Sequence, residues 1–169
     1  MTQIVEVSHE VDSLSIREKI LTIEDKMREH PDAMIGDCCP LKHTFVDGAY
    51  VREITMPKGM LLTSKIHKIC HPYFVLKGDV SVLTEEGVKR IKAPYSGITQ
   101  PGTKRVLYMH EETVWTTVHV TKETDLEKIE KEIIAEIYDE VPDFNGKKLG
   151  DIEILDFIKE IAEEKICLG

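Results

Sequence analysis

Residues 57–87 read PKGMLLTSKIHKICHPYFVLKGDVSVLTEEG. The turns Pro57-Lys58-Gly59, Lys77-Gly78-Asp79 and Glu85-Glu86-Gly87 cut this stretch into apolar runs too short for helices. Strands are therefore predicted over residues 61–67, 73–76 and 80–84. Working outward, the same texture predicts strands over 50–56, 88–91, 104–109 and 113–121. Asp47-Gly48, residues 94–97, Pro101-Gly102 and Glu111-Glu112 punctuate them. Turn signals about every 8–12 residues with no helical periodicity between them predict an antiparallel barrel or sandwich over residues 41–121.

The flanks differ. Ser15-Ile16-Arg17-Glu18 is a capping box, with Ile16, Ile20, Ile23 and Met27 following at helical spacing and Pro31 and Gly36 beyond. Thr124-Asp125-Leu126-Glu127 predicts a second helix striped by Leu126, Ile129, Ile133 and Ile137. Residues 142–150 form a polar connection. A terminal helix then opens at Asp151, carrying Ile154, Leu155, Ile158 and Ile161. The chain thus divides into an N-terminal helical segment (1–40), a barrel (41–121) and C-terminal helices (122–169) packed on the barrel or on a second copy.

With 169 residues the chain is long enough to bury one core. Its net charge of -9 argues against nucleic acid and against an anionic membrane surface as partners. No apolar run reaches the roughly 18 residues of a membrane span. The N-terminus lacks the basic flank and apolar run of a secretion signal, so a cytoplasmic location is expected. Cys38, Cys39, Cys70 and Cys167 make a poor disulfide framework and contain no CxxC pair; they are read as free thiols, with Cys70 a buried small hydrophobe.

The strand region resembles the cupin superfamily, whose first motif runs Gly, five residues, His-x-His, three or four residues, Glu, six residues, Gly. Here Gly59, Lys65, His67, His71 and Gly78 fall in that frame. The second motif, Pro-x-Gly, two residues, His, is approached by Gln100-Pro101-Gly102, with Arg105 at the histidine position. The resemblance implies an all-β core, a double-stranded β-helix of jelly-roll type, with N- and C-terminal α-helices and a homodimeric assembly. The segments 39–45, 50–54, 65–68, 102–105 and 125–128 are also similar to small cupin proteins encoded by tailed phages and prophages. That similarity implies viral origin and residence in the host cytoplasm, and carries no activity.

Lys65 and His67 lie two apart, so a continuous strand points them to one face. The motif frame places that face, His71 and Arg105 in the lumen. Lys65, His67, His71, Arg105, Lys104, Tyr108 and Trp115 are therefore candidate ligand-binding residues. Buried cations need partners, either protein carboxylates such as Glu53 and Asp79 or an anionic ligand. Arginine suits bidentate contact with phosphate or carboxylate. The first reading is a small anionic, phosphorylated or nucleotide-like ligand, with capture of a host nucleotide signal as its extension. A second reading is a divalent transition metal on His67 and His71, completed by His43, His119 or a carboxylate, in an isomerase, hydrolase or oxygenase. A third is a structural or assembly protein working through its helices. His119, alternating with Trp115 and Thr117, is read as a barrel-wall residue. No catalytic residue is assigned.

Overall fold

Alternation of buried and exposed positions builds two facing sheets. In chain order the elements are helix α1 (Ile16–Arg28) and strands β1 (Met34–Ile35), β2 (Leu41–Val46), β3 (Ala49–Met56), β4 (Met60–Thr63) and β5 (Ile66–His67). Next come β6 (His71–Lys77), β7 (Asp79–Thr84), β8 (Gly87–Lys92), β9 (Tyr95–Thr99), β10 (Val106–Met109) and β11 (Thr113–Val120). Helix α2 (Leu126–Ile133), β12 (Ile134–Ala135) and β13 (Lys165–Leu168) complete them. The computed structural model describes residues 15–142 and the backbone of 165–168. One sheet has the order β1-β13-β4-β10-β7-β8, the other β2-β3-β11-β6-β9. β5 pairs with β12. This is the predicted jelly-roll barrel, all-β in its core and antiparallel except where β13 runs parallel to β1 and β4.

Along each strand one face looks inward. Met60, Leu62, Val80, Val82, Leu107 and Met109 meet Val75, Tyr73 and Trp115 across the barrel. The opposite faces of β4, β7 and β10 present Leu61, Leu83, Val106 and Tyr108 to the Ile16, Ile20 and Met27 stripe of α1. The predicted capping box is formed, the Ser15 and Glu18 side chains exchanging hydrogen bonds with each other's backbone N–H groups. A polar clamp adds to the apolar one: Glu24 of α1 accepts from Thr63 Oγ1 and Lys104 Nζ, each at 2.9 Å. Among the described residues, no helix is long and apolar enough to cross a membrane.

Several expectations need correction. β2 and β9 were not foreseen. β2 is an edge strand exposed over most of its length, so it lacks the apolar alternation that signals a strand. β9 contains Gly97, read as a breaker; a Cβ there would stand 2.6 Å from the Tyr73 ring, so the glycine makes room for an aromatic. The second helix is capped by Asp125 rather than Thr124. It stops at Ile133 because Ile134 and Ala135 pair with His67 and Ile66, leaving Ile137 exposed. Within the segment expected to be helical, residues 165–168 form a strand; the helix predicted from residue 151 lies outside the described residues. The cysteines are not all free: Cys38 is disulfide-bonded, while Cys39 is a buried thiol and Cys70 is exposed rather than buried.

Candidate functional site

Three histidines meet inside the barrel. His67 ends β5, held by the β12 pairing, by its N–H donating to the Thr103 carbonyl at 3.0 Å, and by Gly102 N–H donating to its own carbonyl at 2.7 Å. His71 opens β6 opposite Thr99 of β9, and His119 comes from β11 in line with Thr117 and Trp115. The His67 and His71 ring centres are 4.8 Å apart, and those of His71 and His119 4.2 Å. His71 Nδ1 lies 2.9 Å from the Ile69 carbonyl, which can only accept. The proton therefore sits on Nδ1, and Nε2 carries the lone pair. That Nε2, with His67 Nδ1 and His119 Nδ1, is buried without a hydrogen-bond partner among the described residues.

All three rings are held neutral. Burial is the main cause in each case. It takes His67 well below its ordinary value, assisted by Arg105, the two other histidines and Arg52. His119 is depressed to about 4, with His71 and Arg52 contributing after burial. His71 is lowered by burial and secondarily by Arg105, against the favourable bond to Ile69.

Arg105 is 6% exposed. It donates to Thr99 Oγ1 at 2.8 Å, and its guanidinium carbon lies 5.0 Å from the Tyr73 ring centre and 5.5 Å from that of Trp115. Those two rings stack on each other, their centres 4.5 Å apart. Burial lowers the Arg105 pKa, and Tyr73 and the more distant Glu86 and Glu85 only partly oppose it. Among the described residues no carboxylate forms an ion pair with it. The expected neutralisers are elsewhere: Asp79 pairs with Arg90 and Lys92, and Glu53 accepts from Thr116 Oγ1 on the outer face.

A cavity of about 260 Å³ opens over these groups, lined by His67, His119, Arg105 and Trp115, with Leu62 and Leu107 among its apolar wall. Helix α2 closes its mouth, where Ile129 and Ile133 pack on Tyr50. Lys65 reaches only the rim, paired with Glu130 of α2. Two further candidates are also displaced. Lys104 is bound to Glu24, and Tyr108 packs under α1; both sit on the far side of the sheet from the cavity. The structure thus gathers His67, His71, Arg105 and Trp115, and separates Lys65, Lys104 and Tyr108 from them. His43 stands at the rim, its Nδ1 2.7 Å from the Tyr50 hydroxyl.

Arg52 lines the same cavity from β3 and was missed. Its side chain has no hydrogen bond or ion pair among the described residues, yet its charge lowers the proton affinity of His67 and His119. Its signal was present in the sequence: Tyr50, Arg52, Ile54 and Met56 share one strand parity, which excludes Glu53 from the lumen.

A divalent metal, which the resemblance noted in the sequence implies, would need its ligands from these residues. Three neutral imidazoles with spare ring nitrogens suit a divalent transition ion in donor chemistry. Their arrangement does not: among the described residues no group of three or more His, Cys, Asp or Glu side chains is placed to hold an ion. The cationic Arg105 and Arg52 beside them oppose a metal further.

No family model matches the sequence, and no curated protein is similar to it. Solved structures are similar in chain path at low identity. The Cnp3 cupin domain of Schizosaccharomyces pombe is 18% identical with a TM-score of 0.42, over 57% of this chain and 72% of that one. A cupin domain from Bordetella pertussis is 16% identical with a TM-score of 0.40, over 49% of this chain and 93% of that one. An acetylacetone dioxygenase from Acinetobacter johnsonii is 18% identical with a TM-score of 0.39, over 47% of this chain and 58% of that one.

Proposed function

We propose that this chain binds a small anionic ligand in its barrel, with Arg105 as the principal anchor. One observation carries the reading: a guanidinium 6% exposed that no described carboxylate pairs with, at the wall of a cavity. Burying an unpaired charge is costly, and an anion in the cavity offsets that cost with charge-assisted hydrogen bonds. Neutral His67 and His119, which line the cavity, add polar contacts without competing charge. The volume favours a compact ligand, since pockets for drug-sized molecules run from about 300 to 1,000 Å³. That volume favours a small carboxylate or phosphate compound over a whole nucleotide, and so over the capture of a host nucleotide signal.

Trp115 is the single tryptophan of the chain and lies against Arg105, so its fluorescence reports occupancy directly. Titration with phosphate and short carboxylic acids is expected to perturb that emission saturably, and Arg105→Gln to abolish the response. An unaltered response in that variant would discard the reading.

A metal-dependent enzyme is the second reading, favoured by the three unpartnered ring nitrogens alone. Elemental analysis of protein purified without chelators tests it. A stoichiometric transition metal lost in His67→Ala/His71→Ala supports it, and a metal-free preparation removes it.

A further inference from the structure

The anion reading uses one guanidinium, but the cavity wall carries two. Arg105 enters just before β10 of the larger sheet, Arg52 from β3 of the facing sheet, and both line the same space. Like charges confined together repel, and each lacks an ion-pair partner among the described residues. The carboxylates of that wall do not neutralise them: Glu130 is engaged by Lys65, and Asp37, exposed at the rim, forms no ion pair with either arginine. The same wall carries the apolar side chains of Leu41, Ile54, Met56, Leu62 and Leu107. A single compact anion deep on Arg105 leaves Arg52 unanswered.

Building on the anion-binding reading, we infer that the ligand is a bis-anion: two negatively charged groups joined by a short apolar spacer, one on Arg105 and the other on Arg52. Dicarboxylates and phosphorylated or phosphonylated short carboxylic acids share this chemistry. Arg52, more accessible than Arg105, then decides which anions are selected rather than whether any anion binds.

Three probes of matched length separate the possibilities on the full chain: butyrate, glutarate and 3-phosphonopropionate, titrated by calorimetry and by Trp115 emission. At least one dianion is expected to bind ten times or more tighter than butyrate, and the stronger arm names the second group. In Arg52→Gln that advantage is expected to disappear while butyrate affinity holds; in Arg52→Lys, which keeps the charge, most of it is expected to remain. If butyrate binds and neither dianion gains tenfold, the bis-anion inference fails and the anion reading stands. If a gain persists undiminished in Arg52→Gln, the assignment to Arg52 fails. If no probe binds, both fall. The butyrate-to-dianion ratio in the unmodified protein decides the ligand class even should a variant not fold.

Discussion

Lys104 and Arg105 are neighbours in the chain, both cationic and both 6% exposed, yet they meet opposite environments. The segment leading into β10 turns Lys104 to the outer face, where α1 delivers Glu24 to within 2.9 Å. It turns Arg105 to the lumen, where aromatic faces and a threonine hydroxyl receive it and no described carboxylate does. The first arrangement is self-sufficient and belongs to the fold. The second is incomplete, and incompleteness of a buried charge marks a place for something from outside. Equal burial therefore says little about role until the partners are counted.

The sharpest way to break this contrast is Glu24→Ala, which strands Lys104 as an unpaired buried charge. A loss of about 3–5 kcal/mol of unfolding free energy is expected in denaturant titration. Adding Lys104→Met to that variant should restore much of it, because the charge left uncompensated is then gone. The mirror experiment is Arg105→Met. Its stability is expected to match or exceed the parent, since no ion pair is broken, while the Trp115-reported affinity for phosphate or carboxylate falls about tenfold or more.

Acid should act on the lumen in a defined direction. In the unfolded chain histidine titrates near 6.5, whereas folded His119 does so at about 4, and His67 and His71 are lowered too. Between those limits the unfolded state holds more protons, so stability falls as pH drops from about 6.5 toward about 4. Unfolding free energies across that window should decline, and His119→Gln should flatten the slope; a rise on acidification would contradict the neutral cluster. The smallest effect is reserved for Lys65→Ala. Its pair with Glu130 is exposed, so a change below about 1 kcal/mol and unaltered anion affinity are expected.

Parity within strands was legible in the sequence, and where strands are continuous it worked. Trp115, Thr117 and His119 share a face as their alternation requires, and Arg105 sits in phase with Leu107 and Met109. The same rule, carried through, sets Tyr108 with Val106 on the outer face and Arg52 with Tyr50 and Ile54 on the inner. Lys65 is the opposite case. Its expected alignment with His67 assumed an unbroken strand over 61–67, but β4 ends at Thr63 and β5 begins at Ile66. The interruption at Ser64 and Lys65 releases the side chain toward α2, and no local signal in those residues announces it.

By itself, the sequence determined a two-sheet barrel, because glycine turns and period-two apolar runs constrain backbone direction locally, and it determined the capped first helix for the same local reason. Only the tertiary structure decided which charges are answered. Ion pairing and ring contact depend on groups far apart in the chain: Glu24 reaching Lys104, His119 reaching His71, and Arg52 lining the same cavity as Arg105. Those distances are set by how the sheets and helices pack, which no stretch of sequence carries alone.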